Sequence, residues 1–199
     1  MQLSKFISVI LHPIFMPIIS LYLSLKLTPS IGFALTNYLN FIYLVLLFST
    51  IILPLISILF LIKNKTVSSL EMSCYKERSV PLLITALWVW LGYYALEKIL
   101  VFSPILRSEL IGVIIIILLA AIISKYWKIS LHMLAIGGVT GVLFSLNVLF
   151  GGLLYITSLF VLFAGVLGVA RLNEKAHNHT QVYTGFLLGF LIETGSLLF

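Results

Sequence analysis

The chain has 199 residues, 61% of them hydrophobic and 9% charged, with twelve Lys and Arg against six acidic residues, all Glu, and a net charge of +6. So apolar a composition excludes a soluble globular enzyme, and the lack of any basic run interleaved with aromatics argues against a nucleic-acid partner. The single cysteine, Cys74, excludes an internal disulfide and makes a thiolate metal site a poor expectation.

In chain order, apolar runs fall at 6–26, 38–63, 81–101, 109–124, 131–150, 152–170 and 181–199. A helix of about 20 apolar residues spans the hydrocarbon core of a bilayer. The expected fold class is therefore all-α: a polytopic integral membrane bundle of about six to seven transmembrane helices, forming one membrane domain over 1–199. The first run is interrupted by Pro13 and Pro17 and lacks a small-residue cleavage pattern, so it reads as a retained span rather than a signal peptide. Pro54 gives the second run a physical cause for a kink. The fourth run, 109–124, is short enough to be partly re-entrant. Gly137 with Gly141 and Gly185 with Gly189 are small-residue pairs of the kind that let helix backbones approach closely in lipid.

The polar breaks 63–80, 125–131 and 171–180 are separated by even numbers of crossings, which puts them on one face. That face carries Lys5, Lys63, Lys65, Lys76, Arg78, Lys125, Lys128, Arg171 and Lys175, and only Lys26, Lys98 and Arg107 fall on the other. The positive-inside rule then expects the three loops in the cytoplasm of a plasma membrane such as the bacterial inner membrane.

Three clusters on this face hold the reactive side chains: Lys76-Glu77-Arg78-Ser79-Val80-Pro81, Lys128-Ile129-Ser130-Leu131-His132, and the stretch from Arg171 through His177 and His179 to Gln181 and Val182. Arginine forks match phosphate oxygens, helix N-termini add N–H donors, and His serves as nucleophile or general acid near neutral pH. The set suits a phosphate. Zinc is the rival for clustered His, but His177-x-His179 lacks the closely spaced ligands and carboxylate base of hydrolytic zinc sites, so neither metal nor cofactor is expected. His12, near the start of the first run, reads as a packing or interfacial residue, and Trp88, Trp90, Tyr93 and Tyr94 as interface anchors.

These residues resemble the type 2 phosphatidic acid phosphatases, membrane enzymes that dephosphorylate lipid phosphates and lipid diphosphates. The family's motifs run K-x6-R-P, P-S-G-H and S-R-x5-H-x3-D. This chain has Glu71-x6-Arg78 with Pro81 following, then Ile129-Ser130-Leu131-His132, then Ala170-Arg171-x5-His177-x3-Gln181, with Val182-x-x-Gly185 after it. The resemblance covers about 71–190. It implies that His177 attacks phosphorus to form a phosphohistidine, that His132 protonates the leaving alkoxide, and that Arg78, Arg171 and Ser130 hold the phosphoryl oxygens. Gln181 takes the supporting place beside His177, and Lys76, Lys128 and His179 are weaker candidates. Glu71 stands where the family has Lys, Leu131 where it has Gly, and Gln181 where it has Asp.

The leading expectation is thus a metal-independent membrane phosphatase whose substrate is a phosphatidate-like lipid or a polyprenyl diphosphate. A second is a catalytically weakened relative that binds lipid headgroups or serves as a scaffold or subunit, which the three departures favour. A small transporter is a third, but it calls for polar groups at midplane, and Asn147 and Glu193 read as few and peripheral.

Overall fold

Helix accounts for the regular structure of the described residues, 2–70, 72 and 74–199, of a computed structural model. Glu71, where the first motif departs from the family, lies outside the described residues. Ten α-helices follow in order: α1 Gln2–Ile10, α2 Met16–Leu27, α3 Pro29–Ala34, α4 Leu39–Leu46, α5 Leu53–Lys63, α6 Ser79–Leu100, α7 Pro104–Ile123, α8 Leu131–Phe150, α9 Leu154–Asn173 and α10 His179–Leu198. Together with their flanking turns they make 7 stretches long and apolar enough to cross a membrane, the architecture of an integral membrane bundle.

The breaks have local causes. The first stretch parts between α1 and α2, where His12 is extended at φ −69 and ψ 136 and Pro13 opens a short 3-10 turn, because a residue before proline is pushed out of the α region. In the second stretch Pro54 cannot supply an N–H, and its ring would clash with the carbonyl four residues back. The chain answers with a π-helical segment, Leu47–Ile52, just upstream. The fourth stretch is not short. Ser103 accepts a hydrogen bond from the Leu106 amide and Pro104 takes the first turn, so α7 starts ahead of Arg107 and runs 20 residues to Ile123. About 30 Å of helix results, enough to span, and the re-entrant expectation is set aside.

α8 is the central helix: 67% of its apolar window is buried, against 22 to 39% for the other stretches. Its closest neighbour is α10. In lipid, helices associate through van der Waals packing rather than water exclusion, so small residues decide where backbones meet. Gly137 and Gly141 on α8 sit against the carbonyl oxygens of Phe186 and Phe190 on α10, and Gly189 on α10 against that of Leu134 on α8. At the loop end, a Cβ on Gly185 would come 2.8 Å from the Ser130 carbonyl oxygen. Large apolar side chains such as Phe33, Leu59, Leu87, Leu162 and Leu191 point outward, toward what a bilayer supplies as solvent.

Not all the interior is apolar. Glu109 and Glu193 are each only 1% exposed. Glu193, toward the far end of α10, faces α7 and α8, where Gly112, Gly138 and Gly141 leave room for it.

Candidate functional site

The site is assembled at the loop end of α8, α9 and α10. Ser130 is the residue just before α8, at φ −81 and ψ 104, the place where a serine ordinarily caps. Its hydroxyl makes no such cap, and is wholly buried with no hydrogen-bond partner. The Ser130 amide instead donates to the Gln181 carbonyl at 3.4 Å, which ties the start of α8 to the first turn of α10.

Arg78 reaches this point from the short 3-10 turn before α6. It is 5% exposed, with Nε donating to the Met72 carbonyl at 2.9 Å and Nη1 to the Ile129 carbonyl at 3.2 Å. Two of its five N–H groups fix the guanidinium next to Ser130, and the others are not needed for its anchoring. Lys76, two residues earlier, is exposed.

α9 ends abruptly. Lys175 adopts φ 53, and the Ala176 amide donates to the Arg171 carbonyl at 3.2 Å, so the chain reverses within a turn. A non-glycine residue in the left-handed region is uncommon; here it returns His177 toward Arg171. α10 then begins with a reciprocal cap in which the Gln181 amide donates to Asn178 Oδ1 at 2.9 Å and the Asn178 amide to Gln181 Oε1 at 3.2 Å.

The same Gln181 Oε1 lies 3.0 Å from His177 Nδ1. An amide oxygen only accepts, so Nδ1 carries the proton and Nε2 keeps the lone pair. Burial pushes His177 down from 6.5 to about 4; the Gln181 bond opposes this, and the charges of Arg171, Arg78 and Lys128 reinforce it. The imidazole is therefore neutral and nucleophilic at neutral pH. Lys128 is itself lowered by burial first, and then by Arg78 and Arg171. His177, Gln181, Lys128 and Lys175 line an open cleft of about 520 Å³.

His132 lies in the first turn of α8, and its Nε2–H donates to the Ser8 carbonyl at 3.1 Å. The His12 ring meets it edge to face, centroids 5.3 Å apart. Arg171 Nη1 donates to Glu174 Oε2 at 2.7 Å and to Ser8 Oγ at 3.2 Å, and Ser8 Oγ donates onward to Glu174 Oε1 at 2.9 Å. The structure thus brings Arg78, Ser130, His132, Arg171, His177, Gln181 and Lys128 to one rim. His179 is exposed, stacked on Tyr183 with centroids 6.2 Å apart, and reaches only the cleft wall. Leu131, in the glycine position, turns its side chain into the apolar cluster with Ile129 and Leu134.

Three residues of this rim carry no role in the sequence reading. Ser8 and Glu174 form a network with Arg171, and His12, read as a packing residue, faces His132. The Arg and Lys charges at this rim repel a divalent metal, and among the described residues no group of three His, Cys, Asp or Glu side chains comes together. No protein-family model matches this chain, and neither a curated protein nor a solved structure does.

Proposed function

We propose that this protein is a membrane phosphatase, a divergent relative of the type 2 phosphatidic acid phosphatases, hydrolysing a lipid phosphate monoester or diphosphate at the rim of its helix bundle. The observation that carries the reading is His177: its Nδ1–H is held by Gln181, its Nε2 lone pair is free at neutral pH, and three cationic side chains surround it.

In this reading His177 Nε2 attacks phosphorus while the bond to the lipid oxygen breaks. Arg78, Arg171 and Ser130 take the equatorial oxygens, where concentrated donors stabilise the transition state of phosphoryl transfer. His132 delivers the proton to the leaving alkoxide. Because Ser8 holds its Nε2–H, that proton comes from Nδ1 of the protonated ring. Water, deprotonated by His132, then attacks the phosphohistidine; the P–N bond breaks, phosphate leaves and His177 is restored. The excess of Lys and Arg on this face supports a cytoplasmic orientation.

A second reading, a lipid-headgroup-binding relative without turnover, is favoured by one observation. Glu174 already occupies Arg171 as an anion would, at 2.7 Å. Purified full-length protein in detergent, offered phosphatidate and polyprenyl diphosphates without added metal, separates the two. The phosphatase releases phosphate, and His177→Ala abolishes both release and any trapped phosphoenzyme. Wild-type protein that binds these lipids and never releases phosphate is the binding relative.

A further inference from the structure

Glu109 on α7 and Glu193 on α10 stand at the other end of the bundle from His177. Each lies five residues inside its helix end, about 8 Å at 1.5 Å per residue. A carboxyl at such depth is costly and calls for a partner, yet the one ion pair among the described residues is Arg171–Glu174. The two carboxyls are neighbours. A Cβ on Gly112, one turn after Glu109, would overlap Glu193 Oε2.

Their oxygens are half used. Ser24 donates to Glu109 Oε2 at 2.8 Å, and Ser196 Oγ lies 3.4 Å from Glu193 Oε2. Glu109 Oε1 is buried with no hydrogen bond. Ser20 Oγ, on the turn of α2 before Ser24 and only 4% exposed, lacks a bond of good geometry although Glu109 is beside it. Ser20 and Glu193 both line an internal cavity of about 170 Å³ whose walls are otherwise mostly apolar, among them Val113, Ile116 and Ile117.

We propose that Glu109, Glu193 and Ser20 form an intramembrane binding site for a dehydrated sodium ion. An all-oxygen donor set suits a hard cation. With one carboxyl protonated and the other ionised, a single monovalent ion makes the site neutral. A divalent ion pays a desolvation penalty that grows as the square of its charge, and calcium takes about six to eight oxygens, more than these side chains offer. The close approach at Gly112 favours Na⁺ over the larger K⁺. The two carboxyls lie toward the far end of the bundle from His177, although the cavity lined by Ser20 and Glu193 runs on to His12 and Leu131 near the rim, and the proposal does not rest on the phosphatase reading.

The test uses full-length protein in nanodiscs at fixed pH, with choline replaced by Na⁺, K⁺ or Ca²⁺. Infrared difference spectra should show a carboxyl change with Na⁺, and the unfolding temperature should rise with Na⁺ concentration. Glu109→Gln and Glu193→Gln should lose both responses. Ser20→Ala, which keeps both carboxyls and is the milder change, should need several-fold more Na⁺. No carboxyl response to Na⁺ in wild type overturns the site and leaves a permanently protonated structural pair. An equal response to K⁺, a response to Ca²⁺ alone, or a Na⁺ response unchanged in all three variants overturns it as well.

Discussion

Replacing Gln181 with Glu tests the chemistry of the rim most directly, because it changes charge without changing reach. Gln181 Oε1 accepts from His177 Nδ1 at 3.0 Å and from the Asn178 amide at 3.2 Å. Glutamate keeps both bonds and remains a favourable third residue for a helix start. At an effective dielectric of about 20, unit charges about 4 Å apart interact by about 4 kcal/mol. An opposite charge that close shifts a titration by about 1–3 units, which would carry His177 from about 4 to somewhere near 5–7. At about 1.4 kcal/mol per unit, with roughly half the charge developed at the transition state, phosphate release should rise ~3- to 30-fold at pH 8. The sign can be checked separately. With a neutral His177 as the proposed nucleophile, the acid limb of kcat/KM belongs near pH 4 in wild type and moves upward in the variant. Histidine NMR titrations, with His177→Ala for assignment, read the shift directly. A folded Gln181→Glu protein whose His177 titrates no higher, or whose rate at pH 8 is unchanged or lower, would refute the role given to this pair.

Two further outcomes follow from the geometry. His132→Ala should slow monophosphate esters more than diphosphates, measured as the ratio of kcat/KM for the two substrates, because a leaving phosphate needs less protonation than a leaving alkoxide; equal losses would remove His132 from the acid role. Gly189→Ala should destabilise the bundle by about 1–3 kcal/mol or more, since its Cβ would overlap the Leu134 carbonyl oxygen and force α10 off α8. Gly165, with open space around it, is the control: Gly165→Ala should leave the unfolding temperature in detergent nearly unaltered.

The parts legible from sequence are those whose physics is local. Apolar length marks the spans, Pro13 and Pro54 mark breaks, and the paired glycines mark where α8 and α10 touch. The full length of α7 is not legible because Arg107 and Glu109 break the apolar run, whereas helix start is decided by Ser103 and Pro104 a few residues earlier. Ser8, His12 and Glu174 escaped for a different reason. Ser8 lies 124 residues from His132 and 166 from Glu174, and no spacing rule reaches that far. The burial of Glu193 is not legible either, because it comes from glycines on two other helices. Gln181 is the intermediate case: its place beside His177 is legible from the motif spacing, but only the fold shows that the same Oε1 is fixed by a reciprocal cap with Asn178.

The contacts of α1 carry a consequence for the order in which the protein is made. Through Ser8, α1 holds residues that are synthesised much later than itself: His132 by a carbonyl, Arg171 and Glu174 by a hydroxyl. Until α9 has been inserted and its last turn closed, the Ser8 hydroxyl has neither Arg171 nor Glu174 to meet, and only the Ser8 carbonyl, on His132, is engaged. A nascent chain stalled after α8 would therefore display Arg78, Ser130 and His132 without Arg171 or His177. Completion of the rim becomes an event of α9 and α10, so the proposed chemistry at the membrane surface waits on both.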